Sequence, residues 1–247
     1  MSPDPDGAPE PEAGDRRPLA SRDTGWARAL AASAARAGLT PNGISIGSVG
    51  AAALAGLALA LSAGADGGAR AALLIVAALG CQARLLCNLV DGMVAIEGGR
   101  TTPTGALWNE LPDRFSDLLI LAGLGLAAGS PALGWAAGAL AVLTAYAREL
   151  GHRLTGRVDF GGIMGKPQRM AVVTVACALA IPVPLLSGDG AGVGAGVGAG
   201  VGAGVGAGAG AAELVLRTAL WLVVLGAAWT TLARVRRALA RLGAAPP

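Results

Sequence analysis

Charge is scarce in this chain. Only 14% of its 247 residues are Asp, Glu, Lys or Arg, against roughly 25% in a soluble domain. Hydrophobic residues make up 53%, and mean hydropathy is +0.59, so the expected solvent is lipid rather than water. Aromatics are few as well, at 3%, which leaves Ala, Leu, Val and Gly to supply the apolar surface. The three cysteines, Cys81, Cys87 and Cys177, all lie in apolar stretches and form no Cys-x-x-Cys pair. They read as small buried hydrophobes, with no disulfide framework and no zinc site. The one histidine, His152, reads as a solvated loop residue beside Arg148 and Arg153. A formal charge of +3 is too slight to imply a nucleic-acid partner.

What is present is a series of long apolar runs. A spanning helix needs about 20 mostly apolar residues. Six stretches qualify, near residues 43–63, 71–95, 111–129, 131–149, 168–187 and 213–233. No strand-like alternation repeats along the chain, so the expected fold is all-α: a polytopic membrane protein with six transmembrane helices. Residues 1–24 are rich in Pro, Asp, Glu, Gly and Arg and read as a disordered cytoplasmic tail. They lack the basic start and apolar core of a signal peptide. Residues 25–38 read as a short amphipathic interfacial helix, with Trp26, Leu30 and Ala34 on one side. The membrane domain then spans 39–237, and 238–247 form a cytoplasmic tail. Within the domain, 188–212 is an expected outer loop, because the Gly-Ala-Gly-Val repeat of Gly190 to Ala212 has no side chains with which to build a core.

The basic residues orient the bundle. With the N-terminus in the cytoplasm, the outer side receives only Arg70 and Arg217. The inner side receives Arg28, Arg36, Arg100, Arg114, Arg148, Arg153, Arg157, Lys166, Arg169, Arg234, Arg236, Arg237 and Arg241. Such a bias places both termini inside.

Ionisable groups in or beside spans are costly and imply a function. Here they cluster at one place. Arg84, Asn88, Asp91 and Ala95 are spaced 4, 3 and 4 apart, on one face of the second helix. Gly92 leaves backbone room beside Asp91 for a ligand. Gly105, Asn109, Asp113 and Asp117 follow, each four apart, on the next helical segment. Pro112 is expected to start or kink that helix. Carboxylate and amide oxygens at this density suit Mg²⁺, Mn²⁺ or Ca²⁺, ions that commonly hold phosphates. Arg84, Arg148, Lys166 and Arg169 are candidates for binding a phosphate, an acceptor or a lipid headgroup.

The run Asn88-Leu-Val-Asp91-Gly92-Met-Val-Ala95, followed by Gly105-Ala-Leu-Trp-Asn109-Glu-Leu-Pro-Asp113-Arg114, resembles the signature of the CDP-alcohol phosphatidyltransferase family. That signature reads Asp-x-x-Asp-Gly-x-x-Ala-Arg, eight residues, then Gly-x-x-x-Asp-x-x-x-Asp, and the spacing here matches without a gap. Leu39-Thr-Pro-Asn-Gly-Ile-Ser45 resembles the lead-in of these enzymes, and Gly165-Lys166 resembles a cytoplasmic Gly-Lys pair in them. The departures are Asn88 and Asn109 for the first and third Asp, and Ile96 for the Arg.

The resemblance implies an integral membrane transferase. It would move a substituted phosphate from a CDP-linked donor, such as CDP-diacylglycerol, to an alcohol acceptor, releasing CMP in phospholipid biosynthesis. It implies metal ligation by Asn88, Asp91, Asn109 and Asp113, with one or two ions of Mg²⁺ or Mn²⁺. It also implies nucleotide binding by Asn88, Asp91, Gly92, Ala95, Gly105 and Asn109, and Asp113 as the base. Asp117 is a candidate auxiliary acid. Two Asp-to-Asn changes remove two negative charges, which makes two dications harder to hold than one. The implied setting is the plasma membrane, with the site at the cytoplasmic face and a homodimer as the assembly. The alternatives are an inactive relative, or a transporter-like protein that binds ions or lipid with the same acids.

Overall fold

Thr40 and Pro41 show how the sequence sets helix starts. The Thr40 hydroxyl accepts the Gly43 N–H at 3.1 Å, and Pro41 occupies the first helical turn, where its missing N–H costs nothing. The computed structural model describes residues 24–97, 105–186 and 207–244, and every element among them is a helix. These are α1 (Gly25–Arg36), α2 (Pro41–Ser62), α3 (Gly67–Glu97), α4 (Gly105–Ala127), α5 (Pro131–Thr155), α6 (Lys166–Ala180), α7 (Pro182–Leu186) and α8 (Ala207–Gly243).

Six of these helices alternate in direction between two ends of one bundle. At one end, the Arg70 guanidinium donates to the Ala127 carbonyl at 3.5 Å, and Arg217 donates to Ala128 at 3.0 and 3.2 Å. The two arginines on the expected outer side are thus spent on the C-terminal carbonyls of α4, which have no partner within their own helix. At the other end gather the start of α2, the end of α3, the start of α4, the end of α5, the start of α6 and the last part of α8.

Close packing of small residues holds the helices together. α2 and α4 touch backbone to backbone: a Cβ added at Gly123 would lie 2.2 Å from the Gly56 carbonyl oxygen. α4 and α5 meet in the same way at Gly125 and Gly134. Such contacts serve helices that cannot rely on the hydrophobic effect for association. The core between them contains Leu59, Leu74, Ile120, Leu121, Met170, Leu216 and Leu220. Large apolar side chains including Leu54, Leu79, Trp135, Trp221, Leu225 and Trp229 point outward. A water-soluble monomer rarely exposes so much apolar surface.

Among the described residues, three helical stretches, Pro41–Ser62, Gly67–Val94 and Gly210–Gly243, are long and apolar enough to cross a membrane. α4, α5 and α6 do not meet both criteria. α4 carries Glu110, Asp113, Arg114 and Asp117, and α6 has only 15 residues, a rise of roughly 22 Å.

Several expected boundaries shift. The stretch near 168–187 is two helices, because Pro182 interrupts the chain after α6 and starts the five-residue α7. α8 begins at Ala207, so residues 207–212 of the expected outer loop are helical, and it runs through Gly243, past the expected start of the tail at 238. The rest of that loop, through residue 206, and tail residues 1–23 and 245–247 lie outside the described residues. Pro112 does not start α4, which begins seven residues earlier and continues through it. His152 lies in the last turn of α5 rather than in a loop. In α1 the buried positions are Ala27 and Ala31, against Ile44, Leu89, Val90, Met93 and Val94, while Trp26 and Leu30 face outward.

Candidate active site at the charged end of the bundle

Two facing helices bring the acids together. Asp91, near the end of α3, and Asp113, near the start of α4, are each only 5% exposed. Ser45, one turn into α2, donates its hydroxyl to Asp91 Oδ2 at 2.8 Å. Asp91 also lies within electrostatic reach of Lys166 and Asp113. Asn88 sits one turn before Asp91, and its Oδ1 accepts a long bond from Ser48 Oγ at 3.5 Å. Gly92 follows Asp91 in α3. Ala95 lies in the last turn of the same helix, and Gly105 and Asn109 belong to the first turns of α4. The side-chain surroundings of Ala95, Gly105 and Asn109 lie outside the described residues.

Asp113 is ringed by cations. Lys166 donates to its Oδ2, Arg84 stands 3.6 Å from its Oδ1, and Arg114 is 3.8 Å from Oδ2. Its Oδ1 is buried without a hydrogen-bond partner among the described residues, as is the Asn88 Nδ2.

Asp117, expected as an auxiliary acid, has both carboxylate oxygens engaged. It is fully buried, with Oδ1 accepting from Arg84 at 2.8 Å and Oδ2 from Arg169 at 2.5 Å. Neither oxygen is left to carry a proton to or from a substrate. Arg84 and Arg169, expected to bind phosphate, are buried and committed to this carboxylate. Arg169 also donates to the Met164 carbonyl at 3.1 Å. Arg148 is likewise occupied, by Glu110 at 2.6 Å and Glu149 at 2.8 Å, with its guanidinium over the Phe160 ring. Glu110 continues the chain to Arg114 at 3.2 Å. Of the four candidate anion-binding residues, Lys166 retains the most exposure, 24% of its side chain.

Lys166 is positioned by α8. The loop from Gly156, which ends α5 in a left-handed conformation (φ 68°), to Gly165 lies along that helix. Thr230 Oγ1 accepts from the Met164 N–H at 3.0 Å. Arg234 donates to the carbonyls of Gly161 at 3.0 Å and Thr144 at 2.7 Å, and Arg237 donates to Asp159 at 2.7 Å. Burial alone would raise the Asp159 carboxyl, but the bonds from Arg237 and the Gly161 N–H, with the nearby Arg241 charge, hold it below the usual carboxylate range. Thr230 and Arg234 are not recognisable as site residues from sequence: Thr230 is a lone hydroxyl in an apolar run, and Arg234 merges into a run of basic residues. Ser45 shows in the sequence only as the last residue of the Leu39–Ser45 lead-in.

No three His, Cys, Asp or Glu side chains among the described residues form a group that could hold a metal. A metal here would instead use the Asp91 and Asp113 carboxylates with amide oxygen from Asn88. The partnerless Asp113 Oδ1 and the hard oxygen donors fit Mg²⁺ or Mn²⁺.

Fold and site together define a helical membrane-type bundle with a buried acid–base network at one end. The same fold occurs in the phosphatidylinositol phosphate synthase PgsA1 of Mycobacterium tuberculosis. Its complex with manganese and citrate superposes with a TM-score of 0.63 at 18% identity, over 89% of this chain and 90% of that one. The form with CDP-DAG bound gives 0.60 at 19% identity, over 86% and 92%. The apo form gives 0.58 at 18% identity, over 87% and 95%. At this level of identity the likeness is one of fold. No protein-family model and no curated protein matches the sequence.

Proposed function

We propose that the protein is a CDP-alcohol phosphatidyltransferase, moving a phosphatidyl or phospho-alcohol group from a CDP-linked donor to an alcohol acceptor with release of CMP. The observation that carries this reading is the juxtaposition of Asp91 and Asp113 at one end of the bundle, in the spacing of the family signature. The fold shared with a synthase solved with CDP-DAG and manganese supports it.

The residues divide the work. Asp91, Asp113 and the amides of Asn88 and Asn109 would hold Mg²⁺ or Mn²⁺. When bound, such an ion supplies positive charge where negative charge builds on phosphate oxygens. Asp113 takes the proton of the acceptor hydroxyl on its carboxylate, whose Oδ1 has no hydrogen-bond partner among the described residues. The acceptor oxygen bonds to the phosphorus of the phosphatidyl group, the bond from that phosphorus to the CMP phosphate oxygen breaks, and CMP leaves. Lys166, hydrogen-bonded to Asp113 Oδ2, orients the base. The Gly92 backbone leaves room for the nucleotide beside Asp91.

In this reading all six long helices span the plasma membrane, the short α6 with α7 included. The site opens at the cytoplasmic face, where a lipid donor and a water-soluble acceptor meet, and the protein is a homodimer. The test is CMP release by the purified protein from CDP-diacylglycerol, with Mg²⁺ or Mn²⁺ and a panel comprising glycerol phosphate, inositol, inositol phosphate and serine. Metal-dependent release with one acceptor supports the reading. A folded protein that releases no CMP with any of them overturns it.

A further inference from the structure

Arg84 bears on how many ions the site holds. It is wholly buried and lies one helical turn before Asn88 on the same face of α3. Its Nη2 donates to Asp117 Oδ1 at 2.8 Å and to the Asp113 carbonyl at 3.3 Å, and stands 3.6 Å from Asp113 Oδ1. Asp117 is shared with Arg169, so one carboxylate answers two guanidiniums. The surplus positive charge sits beside Asp113. Nε and Nη1 of Arg84 are buried without hydrogen-bond partners among the described residues, as is Asp113 Oδ1. Two further cations, Lys166 and Arg114, lie nearby, but they differ in kind. The side chains of Lys166 and Arg114 keep 24% and 17% exposure and can turn toward water. Arg84 cannot, and a charge so deeply buried is little screened by salt.

The charges of the site can then be counted. Asp91 and Asp113 carry two negative charges, and Lys166 already pairs with Asp113, so one dication more than balances them. Asn88 and Asn109, at the positions where further acids would bring more, are neutral amides. A second dication would sit among neutral donors and close to a fixed guanidinium, where repulsion at low dielectric is strong. We infer that Arg84 is a built-in cation of the site, supplying the positive charge that a second divalent ion would bring, so that the protein holds one Mg²⁺ or Mn²⁺ per chain. This rests on the metal-dependent reading proposed above.

Mn²⁺ titration of the purified protein, followed by calorimetry and by electron paramagnetic resonance, tests the inference without any turnover. Wild type should bind one ion per chain, with the spectrum of an isolated Mn²⁺. Asn88→Asp with Asn109→Asp should still bind one, and so should that pair with Arg84→Lys. Adding Arg84→Leu to the pair should give two ions and an exchange-broadened spectrum. Arg84→Leu leaves Asp117 matched to Arg169, so no buried charge is stranded, and a thermal melt checks the fold. If the leucine variant does not fold, the Asp pair with Arg84 intact decides alone: one ion upholds the inference and two overturn it. Two ions in wild type, one in the folded triple variant, or none in any form also overturn it. CMP release stays a separate measurement. One ion without CMP release defeats the transferase reading and leaves the count standing; two ions with release do the reverse.

Discussion

At the scale of single residues, the two neighbouring acids of α4 differ in environment more than in chemistry. Asp113 retains an oxygen without a hydrogen-bond partner, and its main cation, Lys166, reaches solvent. Asp117 has both oxygens bound by buried guanidiniums. Substitution should separate the two. Asp113→Asn removes a base but leaves Lys166 free to turn toward water. CMP release should fall by about 10²–10⁴-fold, the usual worth of a positioned base, with little change in melting temperature. Asp117→Asn leaves Arg169 without its carboxylate and Arg84 with only Asp113, 3.6 Å away. Breaking a buried pair in this way costs about 3–5 kcal/mol, so this variant should melt well below wild type or fail to give a monodisperse peak in detergent. An Asp117→Asn protein as stable as wild type would contradict the ion-pair assignment.

At the scale of elements, successive turns of α8 hold the α5–α6 loop and so fix Lys166. Of these ties, Asp159–Arg237 is the one that titrates. The Asp159 carboxyl is held below its ordinary range in the folded protein, so the pair stabilises the fold above the unfolded value of about 4 and loses that contribution as pH falls through the lower folded value. Arg237 is partly exposed, which limits the gain to roughly 1 kcal/mol or less. The melting temperatures of wild type and Asp159→Asn should therefore differ by a constant small amount from about pH 5 to 8. The gap should close on acidification below about pH 4. A gap that widens with acid would show that another group carries the effect.

At the scale of the molecule, the helices that carry charge and those that carry apolar length are different helices in one bundle. α2, α3 and α8 are apolar enough to cross a membrane, and the antiparallel alternation of the others places every site residue at one end. If all six cross, Asp66 in the α2–α3 turn lies outside and Arg241 at the end of α8 lies inside. In a background with Cys81, Cys87 and Cys177 replaced, an impermeant thiol reagent should label Asp66→Cys in intact cells. Arg241→Cys should be labelled only after permeabilisation. The reverse pattern would invert the topology, and labelling of both from outside would mean an odd number of crossings.

Sequence alone determined the helical class, the helix start at Pro131, and the spacing that puts Asp91 and Asp113 in one motif. These follow from local terms: apolar run length, the fixed φ of proline, and spacings of three and four that hold one helix face. Residues 84 to 117 show where that legibility stops. Spacing marks Arg84, Asp113 and Asp117 alike as polar groups on apolar helices, but it carries no information about which cation meets which acid. That depends on α3, α4 and α6 converging from points 29 to 53 residues apart in the chain. The placing of Lys166 by Thr230 and Arg234 and the burial of Asp117 between two arginines were decided only by tertiary packing. Each is a contact between distant segments, where the low-dielectric interior requires every charge to find a partner.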